Sequence, residues 1–220
     1  MSTQISGYYE LVNQLPDDTV VTFHDVSWAE YEDLLEQVGE AGGLRISYDD
    51  GTLQVMTLSP KHEKYTRFLE KLVAIITLRL HIDVLSFDSA TMRKRKKRKG
   101  NEPDACFYVQ TASLIGNRIQ IDFETDPPPD IAVEIDIHHE SISKLPIYIG
   151  LGVREIWRYD DKQLTIYHLE DDRYVEQESS LALPMLTSQI LTEFLTRLVR
   201  EGELQAMLAF EEWLIKSAPL

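Results

Sequence analysis

Pro127-Pro128-Pro129-Asp130-Ile131-Ala132-Val133-Glu134-Ile135-Asp136-Ile137, with Lys144 seven residues further on, is the stretch on which the reading of the fold turns. Each proline fixes φ and lacks an N–H, so three in a row end whatever element precedes them. The apolar run that follows, Ile131 to Ile137, has the length and composition of a strand buried on both faces. Asp130 reads as a cap on the entry to that strand. Side chains alternate along a strand, so Glu134 and Asp136 project to one face. Two neighbouring buried carboxylates are costly unless something neutralises them. A divalent cation, which takes carboxylate oxygens, is the usual remedy. The alternative is a strand end in water, with both acids solvated.

Upstream, a second Pro-Asp opens a second strand, Pro103-Asp104-Ala105-Cys106-Phe107-Tyr108-Val109. Leu44–Tyr48 and Leu53–Leu58 alternate around Asp49-Asp50-Gly51-Thr52, a hairpin signal. Ser27 and Ser59-Pro60 mark helix starts, the second helix running to about Leu80. On that helix His62 shares the face of Tyr65 and Leu69, while Glu63 lies off its centre. Val20–Phe23 and Asp83–Phe87 read as short strands, and Thr111–Ile115 as a helical turn. Downstream, Ser141 begins a helix interrupted or entered at Pro146 and ended at Gly150 or Gly152. Strands follow at Glu155–Tyr159, Gln163–Leu169 and Arg173–Glu176, then helices from Ser188 and from Glu203. Trp157, Tyr159 and Tyr167 read as packing residues.

The chain has 220 residues, 43% hydrophobic and 27% charged, a soluble globular composition. One domain, 1–220, is the simplest division, with a core over about 28–195 and a helical segment over about 187–216. No apolar run reaches the length of a membrane span. The single cysteine, Cys106, excludes an internal disulfide or a multi-cysteine zinc site and implies a reducing, cytoplasmic setting. A net charge of −15 argues against non-specific nucleic-acid binding by the whole surface. Yet seven of the 22 basic residues form one run, Arg93-Lys94-Arg95-Lys96-Lys97-Arg98-Lys99. Such a run is ordinarily a solvated, mobile loop. The sharper reading is a loop that contacts phosphates. His138-His139-Glu140 lacks helical metal-ligand spacing and reads as an exposed loop.

The Pro-Asp strand, then Pro129-Asp130-Ile131-Ala132-Val133-Glu134-Ile135, then Lys144, Tyr148 and Gly152–Tyr159, together with Ser59-Pro60-Lys61-His62-Glu63, resemble the Uma-two family of restriction endonuclease-like proteins, in the PD-(D/E)XK nuclease superfamily. The resemblance covers about residues 28–195. It implies an α/β (α+β) fold with a restriction endonuclease-like core: a central mixed β-sheet flanked by helices, an N-terminal hairpin and C-terminal helices. It implies a DNA endonuclease using Mg2+ or Mn2+, with Asp104 and Glu134 as acids and metal ligands. The superfamily's Glu-x-Lys is absent, since Asp136 stands at the lysine's place. The lysine is displaced to the next helix, at Lys144. Asp136 is then an extra ligand or a partner of Lys144, and Glu63 is the first-helix glutamate that completes such sites.

Lys144 is the only Lys or Arg between Arg118 and Arg154, hence the one nearby cation in sequence for these acids. Two other functions stay open: a non-catalytic nuclease-fold binding module, and an oligomeric structural protein whose acids form salt bridges. The apolar positions of the last two helices, Leu191 to Leu214, pack on the core or form part of a homodimer interface.

Overall fold

The computed structural model describes residues 5–12, 14–39, 43–88, 90–137 and 141–217, the side chains of 5–7, 141 and 142 being outside that description. The elements in order are α1 (Ile5–Val12), β1 (Val20–Phe23), α2 (Trp28–Val38), β2 (Leu44–Asp49), β3 (Thr52–Thr57), α3 (Pro60–Leu80), β4 (Leu85–Ser86), β5 (Met92–Lys94), β6 (Lys99–Asn101), β7 (Ala105–Tyr108), α4 (Ala112–Ile115), β8 (Ile131–Ile135), α5 (Leu145–Leu151), β9 (Glu155–Tyr159), β10 (Leu164–Glu170), β11 (Arg173–Gln177), α6 (Ser188–Glu201) and α7 (Glu203–Ser217).

Local chemistry sets most of these boundaries. Ser27 Oγ accepts from the Glu30 N–H at 3.3 Å, and Glu30 Oε2 accepts from the Ser27 N–H at 2.8 Å. Two orphan donors at the start of α2 are thereby satisfied at once. Ser59 caps α3 through the His62 N–H, with Pro60 in the first turn. The β2–β3 hairpin turns on Asp50 (φ 42°) and Gly51 (φ 102°), the paired positive φ values of a type I′ turn.

Two sheets result. The smaller, in the order β1-β3-β2-β6-β5, is antiparallel throughout. The larger, β11-β10-β9-β8-β7-β4, is mixed, with β8 parallel to β9 and its other neighbours antiparallel. Alternation along β8 sends Ile131, Val133 and Ile135 into a core with α3, α6 and α7. Ala132 faces the other way, into a second core with Met92 and with Ile147, Tyr148 and Leu151 of α5. Each fully buried aliphatic or aromatic side chain contributes about 1.5–3 kcal/mol relative to exposure. A third core joins α2 to β2 and β3, around Trp28, Tyr31, Ile46 and Val55. The α/β architecture with a mixed central sheet flanked by helices is the one expected; the N-terminal hairpin is part of a second, five-stranded sheet.

The basic run differs from the loop read in the sequence. Arg93 and Lys94 lie in β5, Arg95–Lys97 form a 3-10 turn, and Lys99 opens β6. The hairpin pairs with β2 through Tyr48 and Gly100. Four of its side chains hold it in place: Lys94 donates to the Leu151 carbonyl at 2.9 Å, Arg95 pairs with Glu32, Arg98 with Asp50 and Lys99 with Asp49. Side-chain partners hidden in distant elements turn a charge run into a fixed hairpin. The helix read from Ser141 is a 3-10 turn to Lys144 followed by α5, which ends at Gly152 (φ 89°). The His138-His139-Glu140 segment and the side chain of Ser141 lie outside the described residues.

Candidate functional site

Asp104 and Glu134 meet across two strands. Ala105 of β7 is paired with Val133 of β8, so one step outward sets Asp104 beside Glu134. Cross-strand neighbours on one face have Cβ atoms about 4.5–5.5 Å apart. Both residues are only 1% exposed. Asp104 is pinned to the neighbouring strand: its N–H donates to the Val133 carbonyl at 2.9 Å, and its Oδ2 accepts from the Ile135 N–H at 2.7 Å.

Each acid has its own cation. Lys144, at the junction of the 3-10 turn and α5, donates from Nζ to Glu134 Oε2 at 2.8 Å. Tyr148 stands four residues on, on the same helix face. Its hydroxyl donates to Glu134 Oε1 and accepts from Asn101 Nδ2 at 2.7 Å. Asn101 Nδ2 also lies 3.3 Å from Glu134 Oε1. On the other acid, Arg45 of β2 donates from Nε to Asp104 Oδ1 at 3.0 Å. His62 Nε2 is 3.1 Å from Asp104 Oδ2, without hydrogen-bond alignment.

These surroundings push the two acids apart. Burial, and then the charge of Asp104, raise the Glu134 pKa above the ordinary glutamate value, and Lys144 only partly opposes them. Burial also acts to raise Asp104, but His62, Arg45 and Lys144 outweigh it and hold its carboxyl below the usual range. Burial disfavours the Lys144 ammonium, yet Glu134 and Asp104 keep its pKa above that of a free lysine. Two carboxyls with pKa values displaced in opposite directions are an arrangement suited to acid–base or metal chemistry.

The other two residues singled out in the sequence sit at the margins. Asp136 accepts from Arg158 Nε of β9, beside the site and on the face of Glu134. Glu63 is partly exposed and faces Arg45 and Arg67; no hydrogen bond joins it to either acid. His62 is buried, as the helical spacing indicates. Asp130 serves structure: its Oδ2 accepts from the N–H groups of Val109 and Thr111 and from the Thr111 hydroxyl. Cys106 is a buried core residue whose thiol burial pushes up to about 12. Sequence reading did not single out Arg45, Asn101 or Arg158. The alternation of β2 places Arg45 on the face opposite Ile46 and Tyr48, where a charged residue signals solvent. Asn101 carries no local signal.

The donors here are carboxylate and amide oxygens, the kind a divalent cation takes. Among the described residues no group of three or more His, Cys, Asp and Glu side chains is arranged for a metal. Mg2+, however, takes one or two protein carboxylates and completes its shell with water and phosphate oxygens. Asp104 and Glu134 meet that lower requirement. Asn101 Oδ1, a buried carbonyl oxygen with no hydrogen-bond partner, lies on a side chain that already touches Glu134. The residues fit a two-carboxylate site.

The fold and this cluster define a mixed-sheet α/β protein with paired acids and a lysine at the end of its central strands. The chain belongs to the Uma2 family, described as "Putative restriction endonuclease", whose family model matches residues 28–199. Among solved structures, a crystal structure of "a putative nuclease belonging to DUF820 from Anabaena variabilis ATCC 29413" is similar over 68% of this chain and 90% of its own, at 17% identity and a TM-score of 0.49. No curated protein matches the chain.

Proposed function

We propose that the protein is a metal-dependent endonuclease that hydrolyses DNA phosphodiester bonds with Mg2+ or Mn2+. The observation that carries this reading is the buried cross-strand pair Asp104–Glu134 with the Lys144 ammonium on one of its oxygens. Asp104 and Glu134 would hold the cation, which when bound supplies Lewis acidity and lowers the pKa of its water. Asp136 is already engaged by Arg158 and is a poorer candidate ligand. Tyr148 and Asn101 orient the Glu134 carboxylate. Lys144 places a positive charge where negative charge develops on the attacked phosphate, which favours the transition state over the ground state. A cytoplasmic, reducing setting is proposed with it; no described helix is long and apolar enough to cross a membrane. A homodimer is proposed as the working form.

One feature favours a second reading, a non-catalytic nuclease-fold module. Both acids are already neutralised by protein cations and closed from solvent, so the site is stable as it stands. Thermal melting against Mn2+ separates the two. A ligand that binds only the folded state stabilises it by about 2.7 kcal/mol at 100 times its Kd. For a nuclease, Mn2+ raises the melting temperature of the native protein, Glu134→Ala abolishes that rise, and Mn2+ supports nicking of a supercoiled plasmid. An equal Mn2+ shift in both proteins removes the proposed site. A Glu134-dependent shift without nicking leaves the binding module.

A further inference from the structure

Glu63 is held as a bound anion is held. Its Oε1 faces Arg45 at 3.4 Å and its Oε2 faces Arg67 at 3.7 Å. Each oxygen thus looks at a different guanidinium, and both contacts are long. The two arginines, in contrast, are firmly anchored by their other edges. Arg45 spends Nε on Asp104 at 3.0 Å and a terminal nitrogen on the Leu44 carbonyl at 2.9 Å. Arg67 spends its Nη1 on Glu70 at 3.0 Å and on Asp88 at 2.6 Å. A guanidinium is a planar fork of five donors, so anchoring one edge aims the rest. The edges left over converge on Glu63, next to the buried acid pair.

A phosphodiester presents two non-bridging oxygens sharing one negative charge, much as a carboxylate does. Preorganised arginine forks are the protein groups that best match such anions. We propose that Arg45 and Arg67 form a clamp for a DNA phosphodiester beside the Asp104–Glu134 pair, and that Glu63 occupies this clamp until nucleic acid displaces it. The proposal rests on the nuclease reading and gives Glu63 a role other than metal ligand. Displacement is physically easy. Glu63 is 36% exposed, its two contacts are long, and water can receive its carboxylate. In the first turn of α3 the released carboxylate still faces the positive helix end. The clamp also addresses how a chain of net charge −15 would take hold of DNA. Binding is local, at two fixed forks that the protein itself masks.

The test is fluorescence anisotropy of a short labelled DNA duplex in EDTA, which keeps it independent of metal and cleavage. A site whose competent form is populated about a tenth of the time binds about tenfold more weakly. Glu63→Gln is therefore expected to tighten duplex binding about tenfold. Arg67→Ala, at a half-exposed position that leaves the core intact, should weaken binding and cancel the gain in the double variant. Glu193→Gln, at an exposed acid of α6 bound to neither arginine, controls for the loss of one negative charge. The proposal is overturned if Glu63→Gln binds like the native protein, if its gain survives in the Arg67→Ala background, or if Glu193→Gln gains as much. Coupled Glu63 and Arg67 effects in EDTA together with no nicking in Mn2+ would support the clamp while removing the nuclease reading.

Discussion

Lys144 is the residue on which stability and proposed chemistry converge. It is 6% exposed and its ammonium neutralises a carboxylate that is 1% exposed. Removing one partner of such a pair leaves an uncompensated buried charge, at a cost of about 3–5 kcal/mol. The sign of the pH dependence follows from Glu134. Its pKa is already raised, first by burial, and loss of Lys144 removes the chief influence that lowers it. A group with a raised folded-state pKa contributes stability below its unfolded value and loses that contribution as pH rises through the folded value. Lys144→Met is therefore expected to destabilise strongly in mild alkali and much less in mild acid, where Glu134 takes up a proton. Urea denaturation at the two pH values measures this. An equal loss at both would mean that the lysine stem, not its charge, carries the effect. In the nuclease reading the same variant loses cleavage by orders of magnitude while it still binds Mn2+.

The β5–β6 hairpin is the element that links the outer sheet to the site. Asn101 at its inner end reaches Glu134 and Tyr148, and Gly100 beside it lies against α2. A Cβ at position 100 would stand 2.1 Å from the Tyr31 hydroxyl and 2.6 Å from the ring carbon that bears it. Tyr31 cannot step aside, since it is fully buried and stacked on Tyr48 at a centroid distance of 4.9 Å. Overpacking of this kind typically costs about 1–3 kcal/mol. Gly100→Ala is expected to lower the melting temperature and to displace Asn101 from Glu134. Tyr31→Phe removes the nearest of the three clashing Tyr31 atoms, so it should restore part of the loss. Full stability in Gly100→Ala alone would show that the hairpin does not bear on α2 as described.

Over the whole molecule, the last two helices close the core and leave one apolar stripe outside. Ala206, Phe210 and Leu214 of α7 are buried, and Phe194 packs edge-on to Phe210 at 4.9 Å. The salt bridges Lys71–Glu203 and Arg79–Glu211 tie α7 alongside α3. Leu204, Leu208 and Ile215, by contrast, are each at least half exposed. Spacings of four and seven residues put them on one side of the helix. For the proposed homodimer this stripe is the natural seam, because a two-fold contact matches a surface to itself. Light scattering at micromolar concentration should give twice the 25.4 kDa chain mass, and Leu208→Arg should return it to one. A native protein that scatters as a single chain would remove the dimer.

What the sequence by itself determined is local in origin. The run Ile131–Ile137 reads as a buried strand from its composition, and the structure pairs it over Ile131–Ile135. The Asp-Gly turn between β2 and β3, the caps at Ser27 and Ser59 and the inward side of His62 were legible for a similar reason: period, cap and turn chemistry act over a few residues. The proximity of Asp104 to Glu134 needed strand pairing, and was foreseen only through the order of motifs that the family shares. Only the tertiary structure decided the rest. It turned the basic run into a hairpin by supplying Glu32, Asp49, Asp50 and the Leu151 carbonyl as partners. It brought Arg45 to Asp104 from 59 residues away and Asn101 to Glu134 from 33, and it turned Glu63 toward two arginines. A charge takes its partner from whatever the packed elements bring within a few ångströms. That neighbourhood is set by the pairing of sheets and helices remote in the chain, and no local pattern encodes it.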